Sequence, residues 1–396
     1  MADNCPLVVF SHLRWDFVFQ RPQHVVSRLA QARRVVWIEE PVDGNHPRWQ
    51  RHIRADGVTV YRPELPGGFK GFHPDQLPEL SGLLAQLVVN ERLDGSIVWL
   101  YTPMALPLAR LIHPAVMVYD CMDELSLFQG APPEMIRLEQ ELLNEADLVF
   151  TGGRSLYNAK KGRHPAVHCF PSSVDANHFR QAVPSGTASE IEAQRAVPHP
   201  RLGFYGVIDE RLDVSLIDAI ARSRPDWQLV LVGPVVKIDP QSLPRHPNIH
   251  YFGQQTYEDL PRFLVGWDVC ILPFAMNDAT RFISPTKTLE YMAAERPIVS
   301  TPIQDVVEPY GGIVYIGQTA ERFMAGVETA LALTGEERSR QVDTMRAVVR
   351  ETSWESTVRQ METLVDACLT HDRQLRREVS HKVPAPTGAI PLIRQA

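Results

Sequence analysis

"SPTKTLEYMAAERPIVS" (residues 284–300) holds a helix start and a strand start within seventeen residues. Ser284 suits an N-cap and Pro285 the first helical position. An apolar strand follows from Pro297, so the stretch reads as one αβ step of a parallel sheet. Lys287 then falls in the first helical turn, where a cation opposes the helix dipole by about 0.3–1 kcal/mol. Glu290 lies three residues on and shares its face. A bound anion would remove the misfit: the free N–H groups of a helix start and Lys287 suit a phosphate. Glu290 could then accept hydrogen bonds from the hydroxyls of an attached ribose. A plain surface Lys–Glu pair is the competing reading, worth only a few tenths of a kcal/mol.

The surroundings favour the ligand. The apolar run "DVCILPF" (268–274) ends in the polar loop "AMNDATRFI" (275–283), where a βα loop of an open sheet binds its ligand. Short apolar runs at 7–10, 35–38, 97–100, 116–119, 148–151 and 167–170 read as strands of a first half. Runs at 202–205, 229–232, 249–252, 269–272 and 298–300 repeat the rhythm in a second half. Helical stretches at 23–30, 77–90, 133–146, 214–223, 257–265, 286–294 and 320–333 fall between them. The expected fold is α/β, two Rossmann-like doubly wound domains facing a cleft. The first spans 1–180 and is expected to hold the acceptor. A Pro-, Ser- and Ala-rich stretch, 181–200, reads as an exposed linker or a poorly ordered insertion. The second domain, 201–351, is expected to hold the donor. A helix at about 352–370 is expected to pack back on the first domain, and 371–396 reads as a flexible tail.

Bulk properties exclude several classes. With 396 residues, 44% hydrophobic and 22% charged, the chain has a soluble globular profile, and a net charge of −7 argues against a nucleic-acid binder. Cys5, Cys121, Cys169, Cys270 and Cys368 are scattered without a CxxC pair, as reduced thiols of a cytoplasmic protein would be. Neither a leader peptide nor an apolar run of about 20 residues, the length that spans a bilayer, is visible. A cytoplasmic location, with contact at the inner face of the membrane as an option, follows. That option rests on "GNHPRWQRHIR" (44–54), a basic, Trp-bearing segment that reads first as a solvated loop and second as a peripheral contact with anionic lipid.

Taken together, these pieces resemble GT-B glycosyltransferases of the family-4, or group 1, type. "SPTKTLEYMAAERPIVST" (284–301) is similar to their donor-site signature. "LGFYGVIDERLDVSLIDAI" (202–220) resembles the first strand, glycine loop and helix of their C-terminal domain. "WQLVLVGP" (227–234) resembles its second strand, "NIHYFGQQTYEDLPRFL" (248–264) its base-binding turn, and "CFPSSVDANHF" (169–179) the interdomain segment. "FSHLRWDFVFQRPQHVVSRLA" (10–30) and "VYDCMDELSLF" (118–128) resemble a subgroup linked to cell-surface polysaccharides, including teichuronic-acid-type transferases. The resemblance implies transfer of a sugar from a UDP-sugar or GDP-sugar donor to a saccharide or lipid-linked acceptor. It implies Lys287 on the diphosphate and Glu290 on the ribose, with Gly206, Gly233, Gln254, Ser284 and Thr286 around the donor. The family's acid pair Glu-x7-Glu has Phe282 at its first position. The expected Arg and Lys after Gly206 fall on Val207 and Leu212, so Arg211 and Arg281 are the remaining candidate cations. "PSSVD" lacks the usual Asn-Gly.

On the acceptor side, Asp120 and Asp123 follow an apolar strand and should reach the cleft mouth. Asp123 matches the base of an inverting GT-B relative; capping a helix is the alternative use of such an acid. Arg14, Trp15, Asp16, Arg21 and His24 mix aromatic and polar groups as an acceptor-sugar site would, with His24 better explained as structural. No cofactor or metal is expected, since no DxD pair stands in a loop suited to Mg²⁺. A dinucleotide-binding oxidoreductase is disfavoured, because neither first strand leads into G-x-G-x-x-G. A binding-only relative remains the other alternative. Retention of anomeric configuration is expected from the C-terminal resemblance, with inversion through Asp123 as the competing outcome.

Overall fold

Runs of Val, Ile and Leu without alternation form parallel strands covered on both faces. The computed structural model describes residues 5–382. Its first sheet contains β1 (Leu7–Ser11), β2 (Val35–Glu39), β3 (Val42–Asp43), β4 (Arg48–Ile53), β5 (Val58–Leu65), β6 (Ile97–Leu100), β7 (Val116–Cys121), β8 (Leu148–Thr151) and β9 (Val167–Cys169). The order along the sheet is β5-β2-β1-β6-β7-β8-β9, with β3 and β4 both paired to β5. Only β4 runs antiparallel to its neighbour. Helices α1 (Arg21–Leu29), α2 (Leu77–Glu91), α3 (Leu106–Ala109), α4 (Glu134–Glu145) and α5 (Arg154–Lys160) connect the strands. Two apolar clusters, one containing Val8, Phe10 and Leu84 and the other Val9, Val26 and Trp37, reflect the alternation along β1 and β2 to opposite faces.

After α6 (Ala176–Phe179) the second sheet begins. It comprises β10 (Arg201–Tyr205), β11 (Gln228–Val232), β12 (Ile249–Tyr251), β13 (Val269–Leu272), β14 (Ile298–Ser300) and β15 (Tyr315–Ile316). They lie in the order β12-β11-β10-β13-β14-β15 and are all parallel. Its helices are α7 (Val214–Ser223), α8 (Leu260–Val265), α9 (Lys287–Ala293), α10 (Gln304–Tyr310), α11 (Ala320–Ala332) and α12 (Gly335–Arg350). The strand order reverses between β1 and β6 in one sheet and between β10 and β13 in the other, which opens a crevice at the carboxyl ends of each. The last helix, α13 (Trp354–Lys382), lies on the first sheet's side: Trp354, Val358, Met361, Val365 and Leu369 join the cluster of Val25, Val26 and Leu29 from α1.

Four readings of the sequence need correction. The basic segment 44–54 is largely strand β4, an edge ladder on β5 in which Trp49 faces Pro63 and donates its Nε1–H to the Leu83 carbonyl at 3.2 Å. Pro63 hides β5 from pattern reading, because a proline inside an apolar run argues against a strand. The stretch 181–200 is exposed over most of its length, as expected, but it is anchored and not a poorly ordered insertion: Gln194 is buried, accepting from Trp267 Nε1 at 2.8 Å and donating to the Phe263 carbonyl at 3.0 Å. Helix α13 continues to Lys382, beyond the expected end near 370, through a run of helix-forming Gln, Leu, Arg and Glu. Residues 383–396 of the expected tail lie outside the described residues. Ser284 is not an N-cap; α9 begins at Lys287 with Thr286 in the cap position, and the Ser284 carbonyl instead accepts from Ser172 Oγ at 2.7 Å.

Candidate active site

Between the two sheets lies a cleft of about 1180 Å³, open to solvent and walled by loops of both halves. Its floor on the second-sheet side is the turn after β10. Gly206 has φ +141°, and a Cβ there would stand 2.3 Å from Lys287 Cε and 2.8 Å from its Nζ. Gly233, at the end of β11, has φ +145°, and a Cβ there would stand 1.8 Å from the Gly206 carbonyl oxygen. Gly206 lies under Lys287 and Gly233 against the Gly206 backbone, both at positive φ, which favours glycine. The ammonium lies 5.8 Å from the Phe204 ring centroid. Burial lowers the Lys287 pKa, opposed by Glu290 and helped by Arg211.

Glu290 lines the same cleft and is 6% exposed. Burial raises its pKa, while Lys287 and a hydrogen bond from Tyr205 hold it down. Tyr205 OH donates to Glu290 Oε2 at 2.7 Å, which fixes the carboxylate by one oxygen. Tyr291 in turn steadies Tyr205: the Tyr205 N–H donates to Tyr291 OH at 3.2 Å, and the rings meet edge to face at 5.0 Å. Tyr205 is a site residue that sequence reading missed. Its signal was its place at the end of the first strand, directly before the glycine turn.

Ser284, Thr286, Arg211, Gln254 and Asp123 also line the cleft. Arg211 is only partly free, since Nε contacts Asp209 at 3.0 and 3.2 Å and Nη2 donates to Asp209 Oδ2 at 2.7 Å. The side-chain amide of Gln254 donates across the cleft to the Phe17 carbonyl. Asp123 sits in the loop after β7. Burial raises its pKa, Arg211, Arg21 and Lys287 draw it down, and Asp209 adds to the rise. Arg281 is not brought to the cleft. It lines a shallow depression with Met276, Pro302 and Gln304, because Phe282 beside it packs into the first sheet's apolar cluster and turns the chain.

Of the expected acceptor residues, only Arg21 reaches the cleft wall. Asp120 lies beneath it, fully buried, and accepts from Arg21 Nη2 at 2.9 Å, while Arg21 Nη1 donates to the Phe170 carbonyl at 2.6 Å. Arg14 ties its loop to the next, donating to Glu39 at 3.3 Å and to the Pro41 carbonyl at 3.0 Å. Trp15 is core, edge-on to Trp37 at 4.9 Å. Asp16 is half-exposed and paired with Arg54. His24 stacks on Trp354 at 4.8 Å, and burial lowers its pKa well below the usual value. In their place Val18, Phe19 and Gln20 of the same loop form the wall. Among the described residues, no group of three or more His, Cys, Asp or Glu side chains is arranged to hold a metal ion.

The lysine–glutamate turn over two glycine strand ends is matched at the level of sequence families: residues 199–332 fit the model described as glycosyl transferases group 1. Residues 199–332 are thus similar to a group 1 glycosyltransferase domain. Beyond that domain, the chain is 26% identical over 245 residues to TuaH of Bacillus subtilis, whose name assigns it to teichuronic acid biosynthesis as a glycosyltransferase. That match covers 60% of this chain and 57% of the relative's length. Sucrose-phosphate synthase from Thermosynechococcus elongatus superposes with a TM-score of 0.69 at 17% identity, covering 94% of this chain and 100% of that one. HepE of Anabaena, solved in complex with UDP and glucose, superposes with a TM-score of 0.67 at 13% identity, covering 92% and 100%. The two sheets with their helices thus form a GT-B fold. Among the described residues no helix is long and apolar enough to cross a membrane.

Proposed function

We propose that the protein transfers a sugar from a nucleotide-diphosphate donor to a saccharide or lipid-linked acceptor, as a step of cell-surface polysaccharide synthesis. The observation that carries this reading is Lys287, partly buried at the start of α9 and laid over Gly206, with Glu290 one turn further on and fastened by Tyr205. An ammonium partly withdrawn from water in a cleft is costly alone and is stabilised by a ligand phosphate. The second oxygen of Glu290 is then available to a ribose hydroxyl. UDP is the favoured nucleotide, because HepE is solved with UDP and glucose and the E. coli trehalose-6-phosphate structure with UDP-2-fluoro glucose.

The helix start and Lys287 offset phosphate charge during departure of the nucleotide, so turnover should persist in chelator. Retention is the favoured stereochemical outcome. Inversion has one observation on its side: Asp123 lines the cleft with its pKa raised by burial, as suits a carboxylate that takes a proton from an acceptor hydroxyl. Purified protein should be screened with labelled UDP- and GDP-sugars against saccharide and lipid-linked acceptors, and the product's anomeric configuration read by NMR. Transfer with the donor's configuration kept supports the reading. An inverted product, with Asp123→Asn slower by about 10²–10⁴-fold, assigns Asp123 as base. Absence of both transfer and donor hydrolysis with every nucleotide sugar tested would refute enzymatic function.

A further inference from the structure

Beside the donor cleft, the loops after β1, β2, β7, β10 and β11 bring together polar groups that the donor site does not use. Lys237 and Arg211 stand over one ring, Phe128, at 5.2 and 5.4 Å from its centroid. Both cations also act on the half-buried His12, and Lys237 on Glu40. His12 Nδ1 is buried without a hydrogen-bond partner among the described residues, as are both carboxylate oxygens of Glu210, the neighbour of Arg211. Buried polar atoms left open in this way are costly unless a ligand completes them. Two of the strands concerned, β1 and β10, end at the crevices where the sheet orders reverse, and Arg211 and Asp123 join this cluster to the cleft.

The cluster holds no surplus cation. Arg211 is taken by Asp209 and Arg14 by Glu39, Lys237 acts on Glu40, and the Glu210 carboxylate has no hydrogen-bond partner among the described residues. An acidic sugar would meet those carboxyls with no surplus cation to hold it. Hydroxyls suit the set: carboxylates and an imidazole nitrogen accept from them, and an ammonium donates to them. We propose that His12, Glu40, Phe128, Glu210 and Lys237 form the acceptor subsite and that it takes a neutral, hydroxyl-rich sugar unit in preference to a uronic acid. This rests on the glycosyltransferase reading above and adds to it the class of acceptor.

The test is saturation-transfer NMR on the full chain with UDP present. Methyl glycosides of glucose, galactose, mannose and N-acetylglucosamine are compared with those of glucuronic and galacturonic acid, and UDP binding is followed separately by calorimetry. The neutral glycosides should give signal. His12→Ala and Glu210→Ala should weaken them about 10- to 100-fold, the loss of a hydrogen bond to a buried polar group, with UDP affinity unchanged. His12→Asn and Glu210→Gln serve where an alanine variant fails to fold. Preferential binding of the uronates overturns the proposal, as does an undiminished neutral-sugar signal in folded variants, or no saccharide binding at all. Loss of UDP binding in the wild type counts against the nucleotide reading instead, and the saccharide signal is then read without nucleotide.

Discussion

His12 and Glu40 are pushed in opposite directions by the same cause. Burial lowers the His12 pKa from 6.5 to about 4 and raises that of Glu40 from 4.5 to about 7. The folded protein therefore holds fewer protons on His12 than the unfolded chain does, and stability from this residue is lost as pH falls from 6.5 toward 4. Glu40 holds more, and its contribution is lost as pH rises from 4.5 toward 7. Shifts of this size are each worth about 3 kcal/mol and oppose one another over nearly one window. In Glu40→Gln, urea unfolding across pH 4–7 should show stability rising with pH more steeply than in the wild type. In His12→Ala it should rise less steeply, or fall. Identical slopes in all three proteins would contradict the burial of these groups. Site residues were legible wherever the spacing was local. Lys287 and Glu290 share one turn of one helix, so their meeting follows from the helical period, whereas Gly206 and Gly233 were reached only through the family resemblance. Arg14, Trp15 and Asp16 were assigned to the acceptor from their composition alone, and His24 only as a second choice behind a structural role. Their directions are set by Glu39, Trp37, Arg54 and Trp354, which no pattern within the loop announces.

At the scale of elements, α13 binds the end of the chain back to its beginning. Its apolar residues at 354, 358, 361, 365 and 369 advance by three or four and make one stripe, which covers α1. Trp354 is fully buried and stacked on His24. Trp354→Ala should lower unfolding stability by about 3–5 kcal/mol, as large-to-small changes in cores do. A loss below about 1 kcal/mol, the level of a surface change, would mean that α13 is not part of the first sheet's core. The parallel strands were legible because burial on both faces leaves unbroken apolar runs. Strand β5 was not, because of Pro63, and β4 was not, because its partner was missing and its exposed side chains are mostly polar. The two-residue strands β3 and β15 are too short to carry a period.

Across the whole molecule, four contacts draw the cleft walls together. Gln254 reaches the Phe17 carbonyl, Ser172 Oγ donates to the Ser284 carbonyl, the Ser155 N–H donates to Asp305 Oδ1 at 3.0 Å, and Phe282 enters the first sheet's cluster. The substitution at Phe282 therefore has a structural consequence: a position that carries an acid in the family here supplies an apolar anchor between the halves. Gly153 marks how close they are, since a Cβ there would stand 2.0 Å from Asp305 Oδ2 and 2.8 Å from Ser284 Cβ. Its φ of −167° is open to any residue, so Gly153→Leu would act as a wedge without straining the backbone. Small-angle scattering should show a larger radius of gyration for this variant, with weaker nucleotide binding. An unchanged radius would contradict the closeness of the two walls.

The central claim is that the cleft binds a nucleotide diphosphate through Lys287. Calorimetry of UDP and of uridine on the wild type and on Lys287→Ala tests it most directly. The account predicts that UDP affinity falls about 10- to 100-fold, the worth of a charge-assisted hydrogen bond, while uridine affinity is unchanged. Equal losses for both ligands, or undiminished UDP binding in the variant, would contradict it.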